Sequence, residues 1–126
     1  MTNILLIGAG GFVGALTRYW FGAAIQALSQ QLHFPAGTLT INVLGCLLIG
    51  GLARLGVQNA ISAELRLLLI TGFLGAFTTF SAFGNETVLL MQNQKSGLAL
   101  LYVAASVLLG LGAIWAGQWL VGGLGK

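Results

Sequence analysis

The stretch GFLGAFTTFSAF, Gly72 to Phe83, sets hydroxyls at Thr78, Thr79 and Ser81 beside the rings of Phe80 and Phe83 in an otherwise apolar run. Gly72, Gly75 and the adjacent threonines are weak helix formers, so the segment predicts a break between Gly75 and Thr79. Non-helical backbone at membrane depth persists only where protein buries it or where it borders a wet or ion-filled cavity. A break frees carbonyl oxygens, hard ligands of the kind that hold small cations in transporters with unwound helices. Beyond it, Phe80 and Phe83 stand at i and i+3 and share one helical face. A phenyl ring has a negative face and a positive edge, so rings turned edge-on can hold an anion without the grip of a full charge. Thr79, Ser81 and the amide of Asn42, in GTLTIN, are neutral donors able to replace lost water. Such a set suits a small, strongly hydrated anion. The same residues also read as two core phenylalanines, hydroxyls bonded back to helix carbonyls, and an asparagine that glues two helices.

Two further stretches bear on chemistry. Arg18, in GALTR, costs about 2.5 to 3.5 kcal/mol at a membrane centre unless it snorkels or meets a wet cavity. It reads either as an interfacial anchor beside Tyr19 and Trp20 or as the attracting charge of an anion vestibule. NILLIGAGGFVG looks like a dinucleotide-binding turn, with Gly8 and Gly10 in place. The third glycine is missing, because Val13 stands where it belongs, and no Asp or Glu precedes Glu64 to hold a ribose. A close-packed first helix is the better reading.

The elements that must position these residues follow from composition. The chain has 126 residues, 57% hydrophobic and 6% charged, with a mean hydropathy of +0.96. These values place it in a membrane and exclude a large soluble domain. A bilayer core of roughly 30 Å takes about 20 helical residues per crossing, which leaves room for about four. The apolar segments are Asn3 to Leu28, Gly37 to Leu55, Arg66 to Met91 and Leu98 to Leu120, joined by short polar turns in a single domain over residues 1–126. Ser62, with Glu64 and Leu65 after it, can open a short interfacial helix before the third crossing. The first run lacks a basic lead and reads as a retained crossing.

The net charge of +3 is scattered and gives no nucleic-acid footprint. Cys46 and His33 are each alone, which excludes an internal disulfide and a recognisable metal cluster. With an even helix number both termini share one side, which carries Arg54, Arg66 and Lys126; the other carries Lys95 and the membrane-edge Arg18. This weak bias permits insertion in both orientations, hence an antiparallel dimer, as well as a single orientation. Gly10, Gly14, Gly45, Gly50, Gly51, Gly110, Gly112 and Gly117 predict close helix packing. Four helices enclose little interior, so a polar pathway belongs at a subunit boundary.

The order GALTR, GTLTIN, GFLGAFTTFSAF and then Glu86, over essentially the whole chain, resembles the Fluc (CrcB) fluoride channel family, the third motif being the specific one. The resemblance implies an all-α membrane protein with a broken third helix, assembled as an antiparallel dual-topology homodimer with two pores and a central sodium ion. It implies that Phe80 and Phe83 line the pore with Asn42, that Thr79 and Ser81 supply hydroxyls near the path, and that the Gly75 and Thr78 carbonyls hold sodium between subunits. Arg18 then matches the vestibule arginine and Glu86 the acidic residue beyond the rings. Ala76 and Ala82 depart from the fuller GGxTTFSTF pattern as small-for-small changes. Gly110 and Ile114 stand where some members carry a hydroxyl-bearing track.

The function these readings predict is passive fluoride export across a bacterial inner membrane, with no enzyme activity, no nucleic-acid partner, and lipid around the dimer. Hydrogen fluoride enters neutral and dissociates in a more alkaline cytoplasm, so an anion pore needs no coupling to energy. The alternative is a small multidrug-type proton-coupled exporter of organic cations. That mechanism needs a carboxylate deep in the membrane, typically on the first helix, which has none; Glu86 is the one candidate. An accessory subunit without transport explains the glycines but not the clustered donors.

Overall fold

The computed structural model describes residues 1–123; Lys126, counted above among the charges of one side, lies outside the described residues. Helix α1 spans Thr2–Leu28 and α2 spans Ala36–Val57. The third crossing is interrupted. Its first half, α3 (residues 63–77), is α-helical over Ala63–Arg66, π-helical over Leu67–Leu74 and α-helical again over Gly75–Phe77. Its second half is α4, Phe80–Gln92, and the last crossing is α5, Ser96–Gly123. Among the described residues, four helical segments, the third counted whole as Ala63–Gln92, are long and apolar enough to span a bilayer.

Local chemistry accounts for the ends. The Ser62 hydroxyl accepts from the Leu65 N–H at 3.2 Å, so it caps the third crossing itself rather than a separate interfacial helix. The turns after α2 and α4 close with paired bonds of the Schellman type, Ala60 N–H to Leu55 O and Lys95 N–H to Leu90 O. The left-handed residues in those turns are Asn59 and Gln94, with φ of 54° and 59°. Between α1 and α2, the Gln26 amide receives the Gly37 N–H and donates to the Phe34 carbonyl, both at 3.1 Å, which anchors the turn holding Pro35.

Packing follows the small residues. Helix α1 lies on the π-helical stretch, where a methyl on Gly14 would overlap the Phe73 carbonyl. Helix α2 lies along α5, where a methyl on Gly117 would overlap the Leu47 carbonyl. Close approach of this kind replaces the hydrophobic drive that lipid removes. Gly112 differs from the expectation for the glycine set: open space surrounds it. Two small cores pin the broken crossing from either side. Leu74 and Phe77 of α3 are buried against Ile41 of α2, and Leu90 of α4 is buried against Ala99 and Tyr102 of α5.

Candidate functional site

The break falls at Thr78 and Thr79, which are extended at φ, ψ of −82°, 158° and −150°, 120°. Gly75 itself is still helical, so the interruption occupies the last two positions of the predicted Gly75-to-Thr79 break. The last backbone bond of α3 runs from the Thr78 N–H to the Leu74 carbonyl at 3.0 Å, and the Thr78 hydroxyl caps the same carbonyl at 3.0 Å. The Thr79 N–H would continue the ladder to Gly75, but it donates instead to Asn42 Oδ1 at 2.8 Å. Asn42 Nδ2 returns a bond to the Thr79 carbonyl at 3.0 Å. This reciprocal pair substitutes for the missing helical bonds and latches the break to α2.

Arg18 reaches the same place from α1. Its Nη1 donates to the Thr78 carbonyl at 3.4 Å, a long bond, while its side chain lines a cavity of about 910 Å³ between α1, the turn before α2, and α4. Ser81, Thr79 and Glu86 line that cavity too, with Lys95 and His33 among the lining residues. A cationic guanidinium near freed carbonyls at the end of α3 complements the negative end of its helix dipole. The structure thus places Arg18 at one position that bears on both of its possible roles, in the lining of this cavity and against the break.

Phe80 and Phe83 lie on the far side of Thr79. Their ring centroids are 5.6 Å apart with planes inclined by 44°. Phe83 packs on Tyr102 at 5.2 Å, whereas Phe80 is 83% exposed. They line an open hollow of about 430 Å³ together with Asn42, Gly75, Thr78, Ser106 and Ile114. Thr79 borders both the cavity of about 910 Å³ and this hollow. Its hydroxyl caps α4 by accepting the Ala82 N–H at 3.2 Å and lies 3.2 Å from the Ser81 hydroxyl. A pair of hydroxyls thus stands at the junction, with either oxygen free to turn a proton toward an anion.

Three residues that sequence reasoning passed over, Thr38, Tyr102 and Ser106, bond to or stand beside the candidate site residues. Glu86 accepts hydrogen bonds from the Thr38 hydroxyl and the Tyr102 hydroxyl, each at 2.7 Å, so both carboxylate oxygens are engaged. Ser106 has a buried hydroxyl with no hydrogen-bond partner among the described residues. A buried hydroxyl without a partner is costly, and here it borders the hollow beside the rings. Hydroxyls are therefore present on the last helix at Tyr102 and Ser106, two turns and one turn before Gly110. The spacing i, i+4, i+8 across Tyr102, Ser106 and Gly110 was the available signal. At Gly110 a side chain would instead meet the Cys46 sulfur, 3.5 Å from an ideal β-carbon.

A family model described as CrcB-like protein, Camphor Resistance (CrcB), matches residues 5–118. The chain belongs to the CrcB-like family. Curated relatives agree along nearly the full length. A protein of Oceanobacillus iheyensis named fluoride-specific ion channel FluC is 45% identical over 93% of this chain and 89% of its own. Proteins of the same name from Methylobacillus flagellatus and Thermus thermophilus are 40% and 45% identical, covering 96% and 98% of this chain and 95% and 98% of their own. With four membrane-length helices among its described residues, this CrcB-like chain is a multi-pass protein of the bacterial plasma membrane.

Proposed function

We propose that this CrcB-like protein is a fluoride channel, not an enzyme, and that fluoride passes from the vestibule across Thr79 and Ser81 into a pore completed by a second copy of the chain. The observation that carries this reading is the row of neutral groups between two cavities: the Thr79–Ser81 hydroxyl pair, the rings of Phe80 and Phe83 that line the hollow, and the unpartnered Ser106 hydroxyl beside them. Fluoride's cost of leaving water is met by hydrogen bonds and ring edges, while the absence of a full positive charge at the rings keeps the ion from being held. Arg18 supplies the attracting charge one step earlier, where the ion is still hydrated. A vestibule lined by cations focuses anions toward its base. The test is efflux from liposomes that contain this protein alone; release no faster than from protein-free liposomes, with the protein folded, overturns the reading.

The second copy is inferred from the surface. A hollow holding an 83% exposed phenylalanine and an unsatisfied hydroxyl is open on one side of the protomer, and an equivalent face turned over would close it. The antiparallel arrangement rests on the weak charge bias between the two membrane sides. It predicts that a single cysteine at Gln94, exposed in the turn before α5, is labelled from both sides of the membrane in comparable amounts when Cys46 has been replaced. Labelling from one side alone rejects dual topology.

Sodium at the centre of that dimer fits the oxygens present. The Gly75 carbonyl lies past the last helical bond, because the Thr79 N–H that would have reached it is taken by Asn42. Among the described residues, the Thr78 carbonyl receives the long Arg18 bond alone. Carbonyls are hard ligands suited to a small cation, and Gly75 is exposed, as an intersubunit ligand requires. A sodium ion there would neutralise the mutual repulsion of carbonyls brought face to face. Reconstitution with a large organic cation in place of sodium is expected to lower flux or to shift the protein toward monomer on size-exclusion chromatography. Full activity in sodium-free medium argues for water in its place.

A further inference from the structure

At the opposite end of the molecule from the turn that holds Gln94, a second groove of about 660 Å³ opens between the last turns of α2 and α5. Gly112 and Gly122 leave it concave, Trp115 and Trp119 form one rim, and Arg54 with the Gln118 amide supplies its polar groups. Among the described residues that line it, Arg54 is the one that carries a charge. Its guanidinium lies against Gly122, with Nε 3.5 Å from an ideal β-carbon there. The two indoles are 81% and 75% exposed.

The groove faces away from the proposed pore. Trp115 follows Ser106 by nine residues, which at about 100° per residue places it roughly 180° around α5. Leu101, Leu108 and Leu111 extend the same face and are all exposed, so it is a lipid-facing surface in a membrane-spanning chain. Tryptophan prefers the headgroup level of a bilayer, and an arginine near a helix end extends its charge to that depth. A guanidinium binds a phosphate through two parallel hydrogen bonds. With Arg54 and no carboxylate among the described lining residues, the charge of the groove is complementary to an anion.

We propose that this groove seats the phosphate headgroup of an anionic phospholipid, with the guanidinium of Arg54 on the phosphate and the upper acyl chain along Trp115 and Trp119. The inference rests on the membrane-spanning reading and not on fluoride conduction. In an antiparallel dimer the two copies of the groove face opposite leaflets, so each leaflet contributes one lipid.

The test uses the full chain with Trp20→Phe, which leaves Trp115 and Trp119 as the reporting indoles. The protein is reconstituted into phosphatidylcholine vesicles containing a minor fraction of brominated phosphatidylglycerol or, in parallel, of brominated phosphatidylcholine. Bromine quenches tryptophan on contact. The expected result is a preference of about fivefold for the anionic lipid, the factor that corresponds to about 1 kcal/mol for one basic residue near an anionic surface. Arg54→Gln should abolish it. Gly112→Leu should also abolish it while retaining Arg54, because Gly112 has nothing within 4 Å and a leucine there fills the groove without displacing a neighbour. Fluoride efflux, unaltered in both variants, confirms folding and separates failure of this proposal from failure of the channel reading. Equal quenching by the two lipids overturns the proposal, as does a preference that survives both substitutions or responds to Arg66→Gln alone.

Discussion

Fluoride efflux through Phe80→Ile or Phe83→Ile is expected to fall at least about tenfold per folded protein, while the assembly stays intact. Isoleucine keeps an apolar side chain and removes the ring's positive edge. Ring quadrupole contacts contribute about 0.5 to 1.5 kcal/mol in ordinary settings, and more where water is excluded. Since about 1.4 kcal/mol changes a rate tenfold, loss of one edge contact at the point of greatest dehydration is visible directly in the flux. The two positions are not equivalent. Phe83 is held by Tyr102, so Phe83→Ile also loosens α4 from α5, with a packing cost of roughly 1 to 3 kcal/mol. Phe80 is largely exposed on the protomer and has little core to lose. Phe80→Ile is therefore the cleaner test, and parental flux from a fully folded Phe80→Ile protein removes that ring from the mechanism.

Asn42→Asp is expected to have the larger effect, near a thousandfold loss of flux. A carboxylate accepts but does not donate, so the return bond to the Thr79 carbonyl is lost and two acceptors face each other. The added charge also stands beside the anion path, where like charges about 4 Å apart repel by about 4 kcal/mol at an effective dielectric near 20. Asn42→Ala separates the two contributions. It releases the latch on the Thr79 backbone without adding charge, and its flux is expected to lie between the parent and the Asp variant. A cation exporter would tolerate the carboxylate or bind its substrate more tightly. Should Asn42→Asp pass fluoride at the parental rate, with the carboxylate ionised, Asn42 lies off the path and serves only as the latch.

Phe80, Phe83 and Asn42 also mark the divide between what is legible along the chain and what is not. Hydropathy and helical spacing are local properties, so the sequence by itself determined four crossings, a break in the third, and a pair of rings on one face after it. The predicted segments, Asn3 to Leu28 among them, agree with the observed helices to within a turn. The motif order sufficed for the family. Tertiary structure alone decided how each polar group is satisfied, because the partners are remote: Asn42 and Thr79 are separated by 37 positions, Thr38 and Glu86 by 48, Arg18 and Thr78 by 60. No periodicity encodes such pairings. They depend on how deeply α1 settles onto α3 and α2 onto α5, and that depth is set by glycines meeting backbone. The π-helical run over Leu67–Leu74 was equally hidden, since its composition is that of an ordinary apolar helix; its wider turn shifts the register of every residue after it, and so governs where the helix can end and which carbonyls are left free.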